Sequence, residues 1–332
     1  MDTTQLVLDT AQRMFADHCD KALLDRAEQG HFATGLWNVI EENGLPLLAT
    51  EAGGGSLADA LRLLRVAGRH ALPVPLAEAL IANHLLAQSG VEASAGPLTL
   101  AIADMRRDDG IDLTGVPWAR SARRICCVVR EPREILVIDG SGCRVTPGAN
   151  IAGEARDAVR FVGAAQRYDM PASLEANAVF ELMALSRAAL MTGALERVLE
   201  LSIGYAKERK QFGRPIGGFQ AIQHMLAVLA GQVAAALRAT DAAIAALGSA
   251  RFAVQVAVAK SRVGESAGIV SEIAHQVHGA MGFTHEHQLH HFTRRLLAWR
   301  DEYGGESHWQ QQIGRRIAHG GADALWDFIV DA

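Results

Sequence analysis

Aromatic residues are scarce in this chain, 5% of 332 residues against 49% hydrophobic overall. A sandwich of sheets leans on aromatic and β-branched residues, so this scarcity, alongside abundant alanine, points to packed helices. Cysteine is scarce as well. Cys19, Cys126, Cys127 and Cys143 show no C-x-x-C spacing, which excludes a zinc ribbon and fits a reduced, cytoplasmic protein. A basic excess is missing, since the formal net charge is -5, and nucleic acid is excluded as a partner. The N-terminus has no basic region followed by an apolar core, and no stretch reads as a membrane span, so neither a secretory signal nor a membrane partner is expected. Gly53 to Gly55 lack the Lys-Ser/Thr that must follow a nucleotide P-loop, so they read as a turn. Internal repeats and low-complexity linkers are absent.

What is present divides the chain in three. Residues 1–95 read as helices broken by Gly and Pro, with Asn43-Gly44 ending one and Ser56 capping the next at Leu57. Residues 96–165 hold short apolar runs (PLTLAIAD, RRICCVVR, REILVIDG, DAVRFVG) bounded by Gly, Asp and Pro, which read as strands. Adjacent Cys126 and Cys127 then point to opposite faces. Residues 166–332 return to helical periodicity: 178–208, 219–248 and 252–279, then a last helix from Ser307 towards Phe328, loosened near Gly320-Gly321. Long helices joined by short turns predict an up-and-down four-helix bundle.

The richest stretch is YAKERKQFGRPIGGFQ, Tyr205 to Gln220. Phe212-Gly213 and Pro215 break the pattern between two helices. Lys207, Arg209, Lys210 and Arg214 gather at the end of the first, where cations suit the negative pole of the helix dipole. A helix cap accounts for the charges but not for a Phe-Gly three residues after Arg209, nor for Gln220 in the next helix's first turn. A second segment, HQVHGAMGF, runs from His275 to Phe283.

Together these two segments resemble the acyl-CoA dehydrogenase family. The resemblance implies an N-terminal helical domain, a β domain and a C-terminal bundle, here mostly α with a reduced β domain. It also implies FAD, with Arg209, Phe212, Gly213 and Gln220 at the adenosine and pyrophosphate end and Gln276, Gly279 and Gly282 in the second contacting motif. A guanidinium suits pyrophosphate because its donors form a fixed, always charged fork. The implied partners are an acyl-CoA substrate, another subunit of the same kind, and an electron-transfer flavoprotein or similar acceptor. The Gly-rich acidic loop and the Trp-Ile-Thr segment that hold the flavin ring in the family are not found, and Trp118 is the nearest aromatic.

The resemblance also implies a catalytic glutamate, usually in a Tyr-Glu-Gly segment before the last helix. Here that stretch is RDEYGGESHW, with Tyr303 or Gly304 at the position and Glu302 and Glu306 beside it. The family's other location, about 26 residues ahead of the arginine, lands on Met183, two residues from Glu181. Glu306 is therefore the candidate base, against solvated loop acids as the plain alternative. Intact adenosine-side residues and a missing base fit a half-site subunit of a heteromeric enzyme for steroid or other bulky CoA thioesters. The alternatives are a complete homo-oligomeric dehydrogenase using Glu306, a flavin-free scaffold subunit, or a flavin monooxygenase on the same fold. HEHQLHHF reads as a surface or subunit-contact segment. Glu272-Ile-Ala-His275 resembles half of a di-iron motif without its second copy, so no metal is expected.

Overall fold

The computed structural model describes residues 3–93, 95–107, 110–171, 177–321, 323 and 325–331. The chain forms two compact units, Met1–Leu64 with Leu72–Met183, and Arg65–Ala71 with Ala184–Ala332.

The first unit joins the N-terminal helices and the strands. It holds α1 (Thr3–His18), α2 (Lys21–Glu28), α3 (Thr34–Glu42), most of α4 (Leu57–Arg69) and α5 (Leu76–Gln88). Ser56 and Asp59 cap α4 reciprocally: Ser56 Oγ accepts from the Asp59 amide at 3.2 Å, and Asp59 Oδ2 accepts from the Ser56 amide at 2.9 Å. A Cβ at Gly53 or Gly55 would overlap backbone at Leu47–Leu48 or Leu48. The glycines of this turn thus let two backbone segments touch, as the turn reading requires.

Two sheets follow. One has the order β1-β3-β4-β7 and the other β2-β6-β5. The strands are β1 (Leu98–Met105), β2 (Ile111–Pro117), β3 (Arg124–Glu131), β4 (Glu134–Asp139), β5 (Cys143–Thr146), β6 (Arg156–Phe161) and β7 (Gln166–Asp169). Among the described residues only β1 and β3 pair in parallel, so these sheets are mainly antiparallel. Four strands follow the expected runs; β2, β5 and β7 are additional because their alternation is short and polar on one side. β7 carries the sheet past the expected boundary at 165. Cys126 and Cys127 are both fully buried on β3, since both faces of that strand are covered.

The second unit is helical: α6 (Ala178–Glu208, whose first turns lie in the first unit), α7 (Gln220–Ala245), α8 (Phe252–His278), α9 (Leu289–Asp301), α10 (Glu306–Gly320) and α11 (Leu325–Asp331). Between α6 and α7 lies a two-stranded hairpin, β8 (Lys210–Gln211) and β9 (Arg214–Pro215). Helix α8 packs against α7, α9 and α10. Residues 65–71 belong here because of two notches. A Cβ at Gly68 would overlap the Leu190 carbonyl, and one at Gly193 the Arg65 carbonyl. Arg65 then reaches Glu196 with two bonds of 2.9 and 2.6 Å, and Arg69 reaches Glu200 at 2.7 Å.

Two sequence expectations are corrected. Helices α6 and α7 both have the length and composition of a membrane span. The apolar window of α6 is mostly buried, as a core helix requires, whereas that of α7 is 17% buried. The histidine run is not all surface either: His290 and His291 are buried at the start of α9, at 9% and 0% exposure. Imidazole has an apolar body, and a histidine pattern alone does not distinguish a buried face from a wet one.

Candidate functional site

The β8–β9 hairpin turns on Phe212 (φ 50°) and Gly213 (φ 78°). Two successive positive φ values define a type I′ turn, which matches the twist of a two-residue hairpin. Gly takes this conformation freely, but Phe does so at a cost. Phe212 is nevertheless 92% exposed, so burial of its ring within this chain does not offset that cost. The hairpin is fastened by the Ile216 amide donating to the Arg209 carbonyl at 2.8 Å. Phe219 supports it from behind, meeting Phe212 edge-on at 6.1 Å and carrying the Arg214 guanidinium 4.2 Å above its ring.

Arg209 is exposed and, among the described residues, has no ion pair or side-chain hydrogen bond. Gln220 is exposed at the first position of α7, whose Phe219 N-cap provides no side-chain acceptor. An arginine fork beside an uncapped helix start is donor chemistry that fits a pyrophosphate.

The second motif is brought to the first by stacked rings. Tyr205, whose carbonyl accepts from the Arg209 amide at 2.8 Å, stacks on His278 with centroids 4.5 Å apart. His287 lies 4.7 Å from His278 and meets Tyr205 edge-on at 6.1 Å. His275 stacks on Phe283 at 4.6 Å and bonds Thr293 Oγ1 through Nε2 at 3.0 Å. Burial lowers the pKa of His275, His278 and His287 below the ordinary histidine value. Gln276 and Gly279 are exposed, and Gly279, at φ 57°, ends α8 with open space where a Cβ would sit. Gly282 differs. It is buried, and a Cβ there would press on His275 Nδ1 and His278 Cβ, each at 3.1 Å. Its missing side chain makes room for the histidine pair.

The position expected to carry the base has another chemistry. Tyr303 and Gly304 both have positive φ, 55° and 91°. A Cβ at Gly304 would lie 2.8 Å from His308 Cδ2 and 2.9 Å from Trp309 Nε1, so no carboxylate-bearing side chain fits without displacement. Glu302 is held by Arg187 at 2.6 Å, and that guanidinium also lies over the Tyr303 ring at 5.1 Å. Glu306 opens α10, bonded to Arg300 Nε and closely apposed to Gly264. Lys260 is buried at 2% exposure and donates to the carbonyls of Trp299 and Arg300 at 3.1 and 2.9 Å, closing the end of α9. Burial pulls its pKa down to about 7, against the opposing pull of Glu302 and other nearby acids.

The sequence reading missed Lys260 and Arg187. Arg187 is the single cation of the apolar helical run MALSRAAL, and Lys260 shares the run AVAKSRV with Arg262; a cation inside an apolar helical run is a legible sign of burial with partners. At the other family position, Met183 is fully buried, and Glu181 sits in the first turn of α6.

Residues 175–318 match the family model described as "Acyl-CoA dehydrogenase, C-terminal domain". Over 302 residues, the chain is 28% identical to the protein named acyl-CoA dehydrogenase IpdE2 from Mycobacterium tuberculosis, covering 88% of this chain and 90% of that one. In fold it is similar to a chain of the ChsE4-ChsE5 complex from Mycobacterium tuberculosis, with TM-score 0.83, 21% identity and coverage of 97% and 99%. It is also similar to the Tcur3481-Tcur3483 steroid ACAD G363A variant, with TM-score 0.81, 24% identity and coverage of 96% and 98%.

Proposed function

We propose that the chain, which matches the C-terminal domain model of acyl-CoA dehydrogenases over residues 175–318, serves as a half-site subunit of such an enzyme. In this reading it contributes the adenosine and pyrophosphate contacts for FAD to an active site that a second, unlike subunit completes. The reaction is α,β-dehydrogenation of an acyl-CoA thioester, for which bound FAD supplies the hydride acceptor. A carboxylate must remove the α-proton.

The observation that carries this reading is the contrast between the two loci. At the hairpin, Arg209 is exposed with no ion pair among the described residues and Phe212 projects into solvent, as groups that complete a neighbour's site would. At the α9–α10 corner, Glu302 and Glu306 are each bonded to an arginine and Gly304 has no room for a side chain. Using an arginine-bonded carboxylate as a base means breaking that pair. Glu306 therefore serves better as the anchor of α10 than as the base. The exposed apolar length of α7 supports a subunit partner, and the ChsE4-ChsE5 and Tcur3481-Tcur3483 names describe two-component assemblies. A steroid or similarly bulky acyl group is the substrate class, with an electron-transfer flavoprotein or equivalent as acceptor.

The test is to purify the chain alone and with a co-encoded homologue, count FAD per chain, and assay CoA-thioester oxidation. Activity and stoichiometric FAD only in the pair are expected. A fully active protein with one FAD per chain when purified alone would refute the half-site reading and return the base to Glu306. A colourless, inactive pair would favour a scaffold, and oxygen consumption indifferent to CoA thioesters a monooxygenase.

A further inference from the structure

Where α8 begins, a cleft of about 330 Å³ opens against the last turns of α10. Its apolar side is Ala253, Val254 and Ala257 from α8 with Ile313 from α10. Arg315, Arg316 and His319, together with Gln312, supply the polar side, and no acidic residue lines it. Among the described residues, none of Arg315, Arg316 and His319 has an ion pair or side-chain hydrogen bond. Elsewhere in this unit, Arg262 pairs with Glu265 at 3.2 Å and Arg300 with Glu306.

We propose that this cleft is a binding site for a small amphipathic anion, a carboxylate carrying a short apolar tail. The tail lies on Ala253, Val254, Ala257 and Ile313, and the carboxylate meets the Arg315–Arg316–His319 cluster. The volume falls at the lower end of the range for small-molecule sites, and an apolar wall with a few convergent polar groups is their usual make-up. A guanidinium pairs with a carboxylate through two parallel hydrogen bonds, which gives direction as well as charge. The cleft is separate from the hairpin locus. Ala253 and Gly279 stand at opposite ends of α8, roughly 39 Å apart at 1.5 Å per residue. The inference does not depend on the half-site reading.

The experiment is calorimetric titration of the full chain with octanoate, acetate and 1-octanol in parallel. Saturable binding of octanoate is expected, with acetate and 1-octanol at least tenfold weaker because each supplies one half of the match. R315Q/R316Q, both at exposed positions, and A253F, which fills the cleft, are each expected to weaken octanoate at least tenfold with an unchanged melting transition. Acetate binding as tightly as octanoate would show that the charges act alone and overturn the proposal. No saturable heat, or octanoate binding unchanged in R315Q/R316Q, overturns it too. The arginine variant decides the matter even if A253F does not fold.

Discussion

Tyr205 and His278 lie ring on ring, 4.5 Å between centroids and 29° between planes, and so tie the last turn of α6 to the last turn of α8. The residues that follow the stack on its two sides, Arg209 and Gly279, are 70 residues apart in sequence. Tyr205→Leu keeps apolar volume but removes the stack. It is expected to cost about 0.5–1.5 kcal/mol, the contribution of an aromatic pair beyond burial. Urea unfolding gives the stability change, and hydrogen exchange at 279–283 should rise while exchange in α10 stays as it was.

Arg209→Ala should leave folding unchanged, because the side chain is exposed and has no bonded partner among the described residues. If the hairpin holds a pyrophosphate, FAD retention in the paired complex falls by about 10- to 100-fold, the loss of one charge-assisted hydrogen bond of about 1.5–3 kcal/mol. Flavin released on gel filtration measures it.

Gly304→Glu puts a glutamate at one of the two positions where the resemblance to acyl-CoA dehydrogenases expects the base, and it is expected to fail. The backbone there is left-handed, and the new Cβ meets the rings of His308 and Trp309. Strain of about 1–3 kcal/mol follows. A lowered melting temperature without gain of oxidation by the isolated chain is the expected result.

Lys260 makes stability depend on alkali. Its folded pKa of about 7 lies below the ordinary 10.5, so between those values the unfolded chain binds the proton more tightly than the folded one. Stability therefore rises with pH across that window, by up to about 1.4 kcal/mol per pH unit for one proton. Lys260→Met should flatten this rise, as denaturant midpoints between pH 7 and pH 10 would show.

On the acid side, histidines act together. Burial, with Arg197 and Arg69 nearby, pulls His70 down to about 4 from the ordinary 6.5, and burial also lowers His275, His278 and His287. The unfolded chain takes up these protons first as pH falls, so the protein is most stable above 6.5 and weakens steadily towards pH 4. His278→Phe should make the loss shallower, since phenylalanine keeps the ring and removes the titration.

The long helices were legible because their apolar period runs on for many turns. α6 begins and ends where the pattern does, and α8 within one residue. The break between α6 and α7 was legible through Phe212-Gly213, but its hairpin form was not, because two-residue strands leave no alternation to read. Helix α9, LHHFTRRLLAWRD, was not, because its arginines and histidines dilute the apolar stripe and several of them are buried with partners. The division of the chain was legible only in part. The sequence marks a change of period near 96, whereas the folded units are set by helix crossings between residues far apart. Gly279 and Gly282 belong to one motif in the sequence, but Gly279 is open to solvent and Gly282 is packed under histidines; sequence does not register which space a missing side chain leaves.

The paired notches at Gly68 and Gly193 have a consequence for how this protein can be taken apart. The segment from 65 to 71 is the carboxyl end of an N-terminal helix, yet it sits in the second unit, its backbone against α6 and its arginines on Glu196 and Glu200. A fragment beginning at α6 would expose the groove at Gly193 and leave those two carboxylates without their guanidinium partners. The region that carries the family's C-terminal signature is therefore not modular: it borrows a turn of helix from more than a hundred residues upstream, and any shortened chain meant to stand alone has to bring that turn with it.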